Sequence, residues 1–559
     1  MTAPVTERGG ARQRSGGIGR AAVMIGVITV LARLVGFGRQ VVFAHTVGTT
    51  CLGTAYTTAN MVPNIIYDIV LGGALASVVV PVLAGPAGRA GDSARQISSA
   101  LLTWTVVLLV PVSAVVAVAA HPIVSVLLGN GGGCPRAELA GVGTRMLIVF
   151  APQVLFYGLA VVLYGILQSH RRFGAPALAP LLSSLVVVGA YAGFGVIGGA
   201  YVNRLHDLPP SAEYLLSGGT TLGVLALVLT AVVPAWRLRI GIRPRFRFPA
   251  GVGGRVRKLA IAGVLTLVAQ DASVAVVIVL ANRYGDPGAL VLYGFAWAVF
   301  VVPYAVLAVP IATSTFPELS AASDVSLDAG PGSGVVLGEG SNRFDATAAA
   351  STRAVMLASW LGAAALAGAR LPLARVFESH SASSASVLAV ALAAFAPGLV
   401  GYGLSANLSR VLYARGRNRA PAVAMSVGWL LVIVADLLIV PLVPRPRVVP
   451  ALGAGTSIGL TVAGVALLIL VRRERGAAAL AGVPRAFLAG LAGCAAGAAA
   501  GSAVSVLLRV HGFFPNVGVS VLVSATVTAV FVAVVMNLDG GDLRTALRRL
   551  HTRVPAVTP

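Results

Sequence analysis

Charged side chains are scarce, at 11% of 559 residues, and acids are scarcer still, at 18 against 41 basic residues. A soluble domain carries roughly 25% charged residues, so a water-soluble enzyme or binding module is excluded. Lysine is almost missing, with Lys258 the one example. The balance of +23 would suit nucleic acid, but the cations sit in short segments between apolar runs and build no basic face. Catalytic signatures are missing too. No phosphate-binding loop, metalloprotease helix or nucleophile elbow occurs, and the seven histidines are scattered. Cys51, Cys134 and Cys494 have no metal-type spacing. Cys51 and Cys134 fall in outer segments, which leaves a disulfide open, but three isolated small apolar side chains are the preferred reading. No metal, cofactor or catalytic residue is expected.

What is present is apolar length. Of all residues 57% are hydrophobic, in recurring runs long enough to cross a ~30 Å hydrocarbon layer. The expected spans are 21–47, 54–85, 98–120, 143–167, 176–199, 216–235, 257–281, 288–316, 347–368, 384–412, 420–442, 452–471, 484–508 and 517–537. The fold class is therefore an all-α polytopic membrane protein of about fourteen helices. Residues 1–20 are polar and arginine-bearing, and the run after them is too long for a cleavable signal.

Orientation follows from the cations. With the N-terminus inside, inner segments hold 30 basic residues and outer loops eight, with Arg33, Arg39 and Arg145 inside spans. The positive-inside rule then places both termini in the cytoplasm.

The chain also repeats itself. Ala151-Pro152, Tyr157-Gly158-Leu159, Arg172 and Ala175-Pro176-Ala177 recur 245 residues later as Ala396-Pro397, Tyr402-Gly403-Leu404, Arg417 and Ala420-Pro421-Ala422. The offset equals six spans, so the copies run parallel, as in transporters whose lobes rock about a central site. The expected organisation is a tail (1–20), a first lobe (21–235), a basic linker (236–256), a second lobe (257–471), two extra spans (472–537) and a second tail (538–559).

Polar residues inside spans are the candidate site. Arg33 lies mid-membrane and Arg39 nearer the outer side; intramembrane charge is costly and tends to face a cavity. Guanidinium forks suit phosphate. Gly36 and Gly38 would allow close approach to this helix. Tyr56, Asn60, Asn64 and Tyr67 are spaced by four, four and three, which aligns them on one helical face. Asn60, Asn64 and Tyr67 join the arginines as candidate cavity lining. Asp68, beside that stripe, could pair with Arg33 or Arg39. Asp271 and Asp436 are embedded acids suited to charge pairing or ion coupling. Trp297, Phe300 and Tyr304 read as packing.

The stretch Ala32-Arg33-Leu34-Val35-Gly36-Phe37-Gly38-Arg39 resembles the first-span motif of the MurJ/MviN family of lipid II flippases. Val62-Pro63-Asn64 and Gly73-Ala74 through Val80-Pro81-Val82-Leu83 are similar to its second-span motifs, and Pro63 to Asp68 resembles its actinobacterial branch. Arg172-Phe173-Gly174-Ala175-Pro176 and Tyr413-Ala414-Arg415-Gly416 also look familial. The resemblance implies two six-helix lobes of the multidrug/oligosaccharidyl-lipid/polysaccharide exporter superfamily plus two helices. It implies a cationic cavity for the diphosphate of the lipid-linked peptidoglycan precursor, emptied outward by alternating access across the cytoplasmic membrane. Arg33 and Arg39 match the family's functional arginines. Gln40, Thr54, Tyr67 and Ala298 stand where the resemblance implies charged residues.

The leading expectation is a lipid II flippase serving cell-wall synthesis, whose partners are the lipid-linked saccharide diphosphate and membrane lipids. A carrier of another polyprenyl-diphosphate-linked saccharide, or a cation-coupled drug exporter, is the alternative transporter. A non-transporting scaffold that recruits cell-wall synthesis proteins is the alternative of a different class.

Overall fold

The computed structural model describes residues 10–69, 91–129, 131–170, 172–238, 243–248, 252–327, 337–378 and 382–539. Every regular element among them is helical, as a chain must be when lipid offers its backbone no hydrogen-bond partner. Among the described residues, twelve helices are long and apolar enough to cross a membrane. The pair Ser384–Phe395 and Gly398–Ala414, bent by 44°, brings the number to thirteen if it crosses as one span. The expected second span, 54–85, accounts for the shortfall from fourteen. It is described only to residue 69, and that part is interrupted by Asn60, Asn64, Tyr67 and Asp68. Gly72–Gly73 and the Val80–Leu83 motif lie outside the described residues.

The chain divides into two compact units, 1–127 with 135–267 and 128–134 with 268–559. The first contains α1 (Gly10–Thr46), α2 (Cys51–Asp68), α3 (Gly91–Val118), α4 (Ala120–Leu128), α5 (Arg136–Phe150), α6 (Gln153–Ser169), α7 (Gly174–Ile197) and α8 (Pro210–Arg237). Thr50 caps α2, its hydroxyl accepting from Gly53 N at 3.1 Å, which satisfies one of the orphan first-turn donors. Pro152 separates α5 from α6, and Pro210 opens α8, where its missing N–H is harmless. Helices α7 and α8 pack through small residues. A Cβ on Gly219 would meet Ala190 Cβ at 2.3 Å, and one on Gly223 would meet Val187 Cγ2 at 2.4 Å. Part of the basic linker lies extended along α3: Arg243 N donates to Ser99 Oγ (3.2 Å) and Arg245 N to Thr103 Oγ1 (2.9 Å).

The boundary between units falls inside α9 (Val252–Tyr284). The second unit continues with α10 (Ala289–Pro303), a π-helical turn (Tyr304–Ala308), α11 (Val309–Leu327), α12 (Leu337–Gly368), α13 (Arg370–Val376), α14 (Ala382–Phe395), α15 (Gly398–Ala414), α16 (Arg419–Ile439), α17 (Val448–Arg475), α18 (Val483–Leu507) and α19 (Phe513–Leu538). Helices α15 and α17 touch backbone to backbone, since a Cβ on Gly401 would lie 2.3 Å from Leu460 O. Gly493, Gly497 and Gly501 let α18 seat against Phe531 and Val527 of α19 and Gly368 of α12. Arg475 anchors the C-terminal end of α17 to α12 through a 2.8 Å ion pair with Asp345.

One cysteine expectation is overturned. Cys51 and Cys134 are disulfide-bonded, and Cys494 is free.

Candidate functional site

The wall begins on α2. Four positions at helical spacing face the interior of the first unit, but they divide into two groups. Tyr56 is fully packed, its hydroxyl 2.7 Å from that of Tyr191 and 2.8 Å from Thr220 Oγ1. One turn on, the environment opens. Asn60, Asn64 and Tyr67 are half-buried. Asn64 Nδ2 donates to Asn60 O (2.9 Å), and Asn64 Oδ1 accepts from the Tyr157 hydroxyl (3.1 Å). The Tyr67 and Tyr157 rings pack with centroids 4.2 Å apart. Asn60 Oδ1 is buried with no hydrogen-bond partner among the described residues, and an acceptor left so is costly unless something satisfies it.

Arg39 completes this wall. Half-buried on α1, it lies within electrostatic reach of the Tyr56, Tyr157 and Tyr191 hydroxyls. It forms no ion pair or hydrogen bond among the described residues. Its charge is therefore set near three tyrosine hydroxyls, with no carboxylate paired to it among the described residues. Arg33 stands apart. Six residues earlier, it is turned by roughly 120° around the helix and is exposed. The two arginines do not share one face. Gly38 borders open space, and a Cβ on Gly36 would just reach Ser184 Oγ at 4.0 Å, so neither glycine is required by helix packing.

Asp68 is exposed and forms no ion pair with Arg33 or Arg39 among the described residues. The third arginine of the spans does find a partner. Arg145 holds Glu213 through both carboxylate oxygens, at 2.8–3.2 Å, so it braces α5 against α8. Where the resemblance implies charge, Thr54 is buried and donates to Thr50 O (3.0 Å), while Tyr67 supplies the ring that covers Tyr157.

Asp271 and Asp436 belong to the second unit, and both are buried. Asp436 presses on α17, where a Cβ at Gly455 would collide with it, and neither of its oxygens has a hydrogen-bond partner among the described residues. Burying a carboxyl group without such a partner is costly. Trp297, Phe300 and Tyr304 pack as expected from sequence. Tyr304 stacks on Tyr402 at 3.9 Å, and Phe300 and Trp297 extend the cluster to Phe395 and Trp429. Sequence reasoning missed Tyr157 as a site residue, although the Tyr-Gly-Leu repeat had singled it out.

These features agree with comparisons to known proteins. The profile of the lipid II flippase MurJ family matches residues 43–536. Lipid II flippase MurJ of Burkholderia cenocepacia is 26% identical over 480 residues, covering 82% of this chain and 84% of that protein. A probable lipid II flippase MurJ of Rhizobium meliloti is 28% identical over 301 residues, 53% of this chain and 54% of its own. A solved lipid II flippase MurJ in an inward closed conformation superposes with a TM-score of 0.69 at 17% identity, over 92% of this chain and 99% of that one. An inward-facing multidrug resistance transporter of the MATE family in the MOP superfamily gives 0.63 at 14% identity, over 82% and 98%. The structural likenesses establish the fold, and the profile match carries the rest: this multi-pass membrane protein belongs to the lipid II flippase MurJ family.

Proposed function

We propose that this chain moves lipid II across the cytoplasmic membrane for peptidoglycan synthesis, with both termini in the cytoplasm. The observation that supports this most is Arg39, a guanidinium with no ion pair among the described residues and within electrostatic reach of Tyr157 in the Asn60–Asn64–Tyr157–Tyr67 wall. A diphosphate needs a fixed cation, and a saccharide needs amide and hydroxyl partners; this wall offers both. The polyprenyl tail stays in the bilayer while two alternating states carry the headgroup across. Arg33 serves the entering diphosphate, and Asp68 tunes the local field of the wall. Asp271 and Asp436 couple transport to a cation, a role favoured by the unpartnered buried carboxylate of Asp436.

The test is rescue of a bacterium whose own lipid II flippase is switched off, scored by growth. The expected outcome is rescue by the wild-type chain and none by Arg39→Ala or Arg33→Ala at equal membrane abundance. Failure of the well-expressed wild-type chain would favour another polyprenyl-diphosphate saccharide. Rescue by both arginine variants would favour a scaffold for cell-wall synthesis proteins.

A further inference from the structure

A second cationic site lies in the second unit, between the first turns of α16 and the last turns of α17. Glycines hold these helices together at mid-length: a Cβ on Gly428 would meet Ala463 Cβ at 2.7 Å and Gly459 O at 3.0 Å. Beyond that contact the helix ends enclose a groove of about 870 Å3, within the ~300–1,000 Å3 typical of small-molecule sites. Gly416, at φ +70°, turns the chain out of α15 and leaves the groove open beside it.

The groove has two chemically distinct halves. Its mouth carries Arg417, Arg419 and Arg473. Arg417 is shared with Glu474 at 3.2 Å, while Arg419 and Arg473 form no ion pair among the described residues. Asn418 precedes α16 without capping it through its side chain, so first-turn N–H groups remain to receive an anion. The wall below is apolar: Val423, Val427 and Ile469 are 58%, 42% and 47% exposed. A cationic mouth at the helix ends above an exposed apolar wall has the polarity of a phospholipid at the membrane interface, not of a soluble anion or a peptide. Basic pockets between spanning helices recognise anionic lipid headgroups in this way.

We propose that this groove binds one anionic phospholipid, its phosphate on Arg419 and Arg473 and one acyl chain along Val423, Val427 and Ile469. The site is separate from the Arg39 wall and goes beyond the transport reading. Occupancy would tie the inner ends of α16 and α17 together and couple the second unit to bilayer composition.

The test uses the delipidated full chain in detergent, titrated with dioleoyl phosphatidylglycerol or dioleoyl phosphatidylcholine and read by native mass spectrometry. The expected result is preferential retention of phosphatidylglycerol, weakened about fivefold for each arginine removed in Arg419→Gln and Arg473→Gln. Val423→Trp, which fills the wall and leaves the cations, weakens it as well. Arg473→Lys keeps the charge and retains binding, which separates lost charge from lost fold. Equal retention of the two lipids overturns the proposal. So does undiminished phosphatidylglycerol binding by the double glutamine variant, or displacement of the lipid by inorganic phosphate or by a polyprenyl diphosphate at equal concentration.

Discussion

Each unit contains a pair of packed tyrosines, one member of which occupies the same place in the repeat, and the surroundings of the two pairs differ. Tyr157 is the fifth residue of α6 and Tyr402 the fifth of α15, each helix following a proline. Tyr157 packs on Tyr67 at 4.2 Å and Tyr402 on Tyr304 at 3.9 Å. In the first unit the pair continues into Asn64, Asn60 and the field of Arg39. In the second it continues into Phe300, Phe395, Trp297 and Trp429. Its nearby cation, Arg410, is partly engaged by its own helix, donating to Ala406 O at 2.6 Å. One repeated scaffold has thus been given a polar wall in one copy and an aromatic filling in the other. The difference separates recognition from packing, and substitutions at matched positions can test that separation.

The largest contrast is steric. Gly401 faces the Leu460 carbonyl at a distance no side chain tolerates, whereas Phe156 holds the matching place in the first unit. Gly401→Leu should leave almost no folded protein in the membrane fraction, a penalty above ~3 kcal/mol, while Phe156→Leu should change abundance little. Next comes charge. Arg39→Ala should abolish transport at normal abundance, and Arg410→Ala should retain most of it; growth rescue measures both.

Ion pairs come third. Asp345→Ala strips a largely buried Arg475 of its partner and should cost about 3 kcal/mol. Arg145→Ala leaves the still more buried carboxylate of Glu213 without its partner and should cost about as much. Thermal unfolding in one detergent would measure both, and a loss below ~1 kcal/mol for either would contradict the burial argument. The smallest effect is a single hydroxyl. Tyr157→Phe keeps the ring pair but removes the bond to Asn64 and should lower transport about fivefold. Tyr402→Phe should lower it less, and equal losses would erase the distinction between the two pairs.

Much of this was legible in the sequence because a membrane leaves few options. Long apolar runs dictate helices, and 3.6-residue periodicity placed Asn60, Asn64 and Tyr67 together. Of the intramembrane arginines, Arg39 pointed to the wall because charge inside a span tends to face a cavity. What stayed hidden depends on contacts between distant segments. Glu213 lies 68 residues from Arg145, so the pairing that makes this arginine structural leaves no local trace. The disulfide bonding of Cys51 and Cys134 is hidden likewise. Tyr157 was visible as a repeat but not as part of the wall, because its partners Asn64 and Tyr67 come from another helix. The turn of Arg33 away from Arg39 was calculable from six-residue spacing, yet both had been expected to line one cavity.

The decisive measurement is the amount of lipid II exposed on the outer leaflet of cells that depend on this chain, compared between the wild type, Arg39→Ala and Arg410→Ala at matched abundance. Exposure that collapses with Arg39→Ala and persists with Arg410→Ala would place headgroup recognition on the first unit's polar wall. Exposure unchanged by Arg39→Ala, or lost equally in both variants, would contradict it.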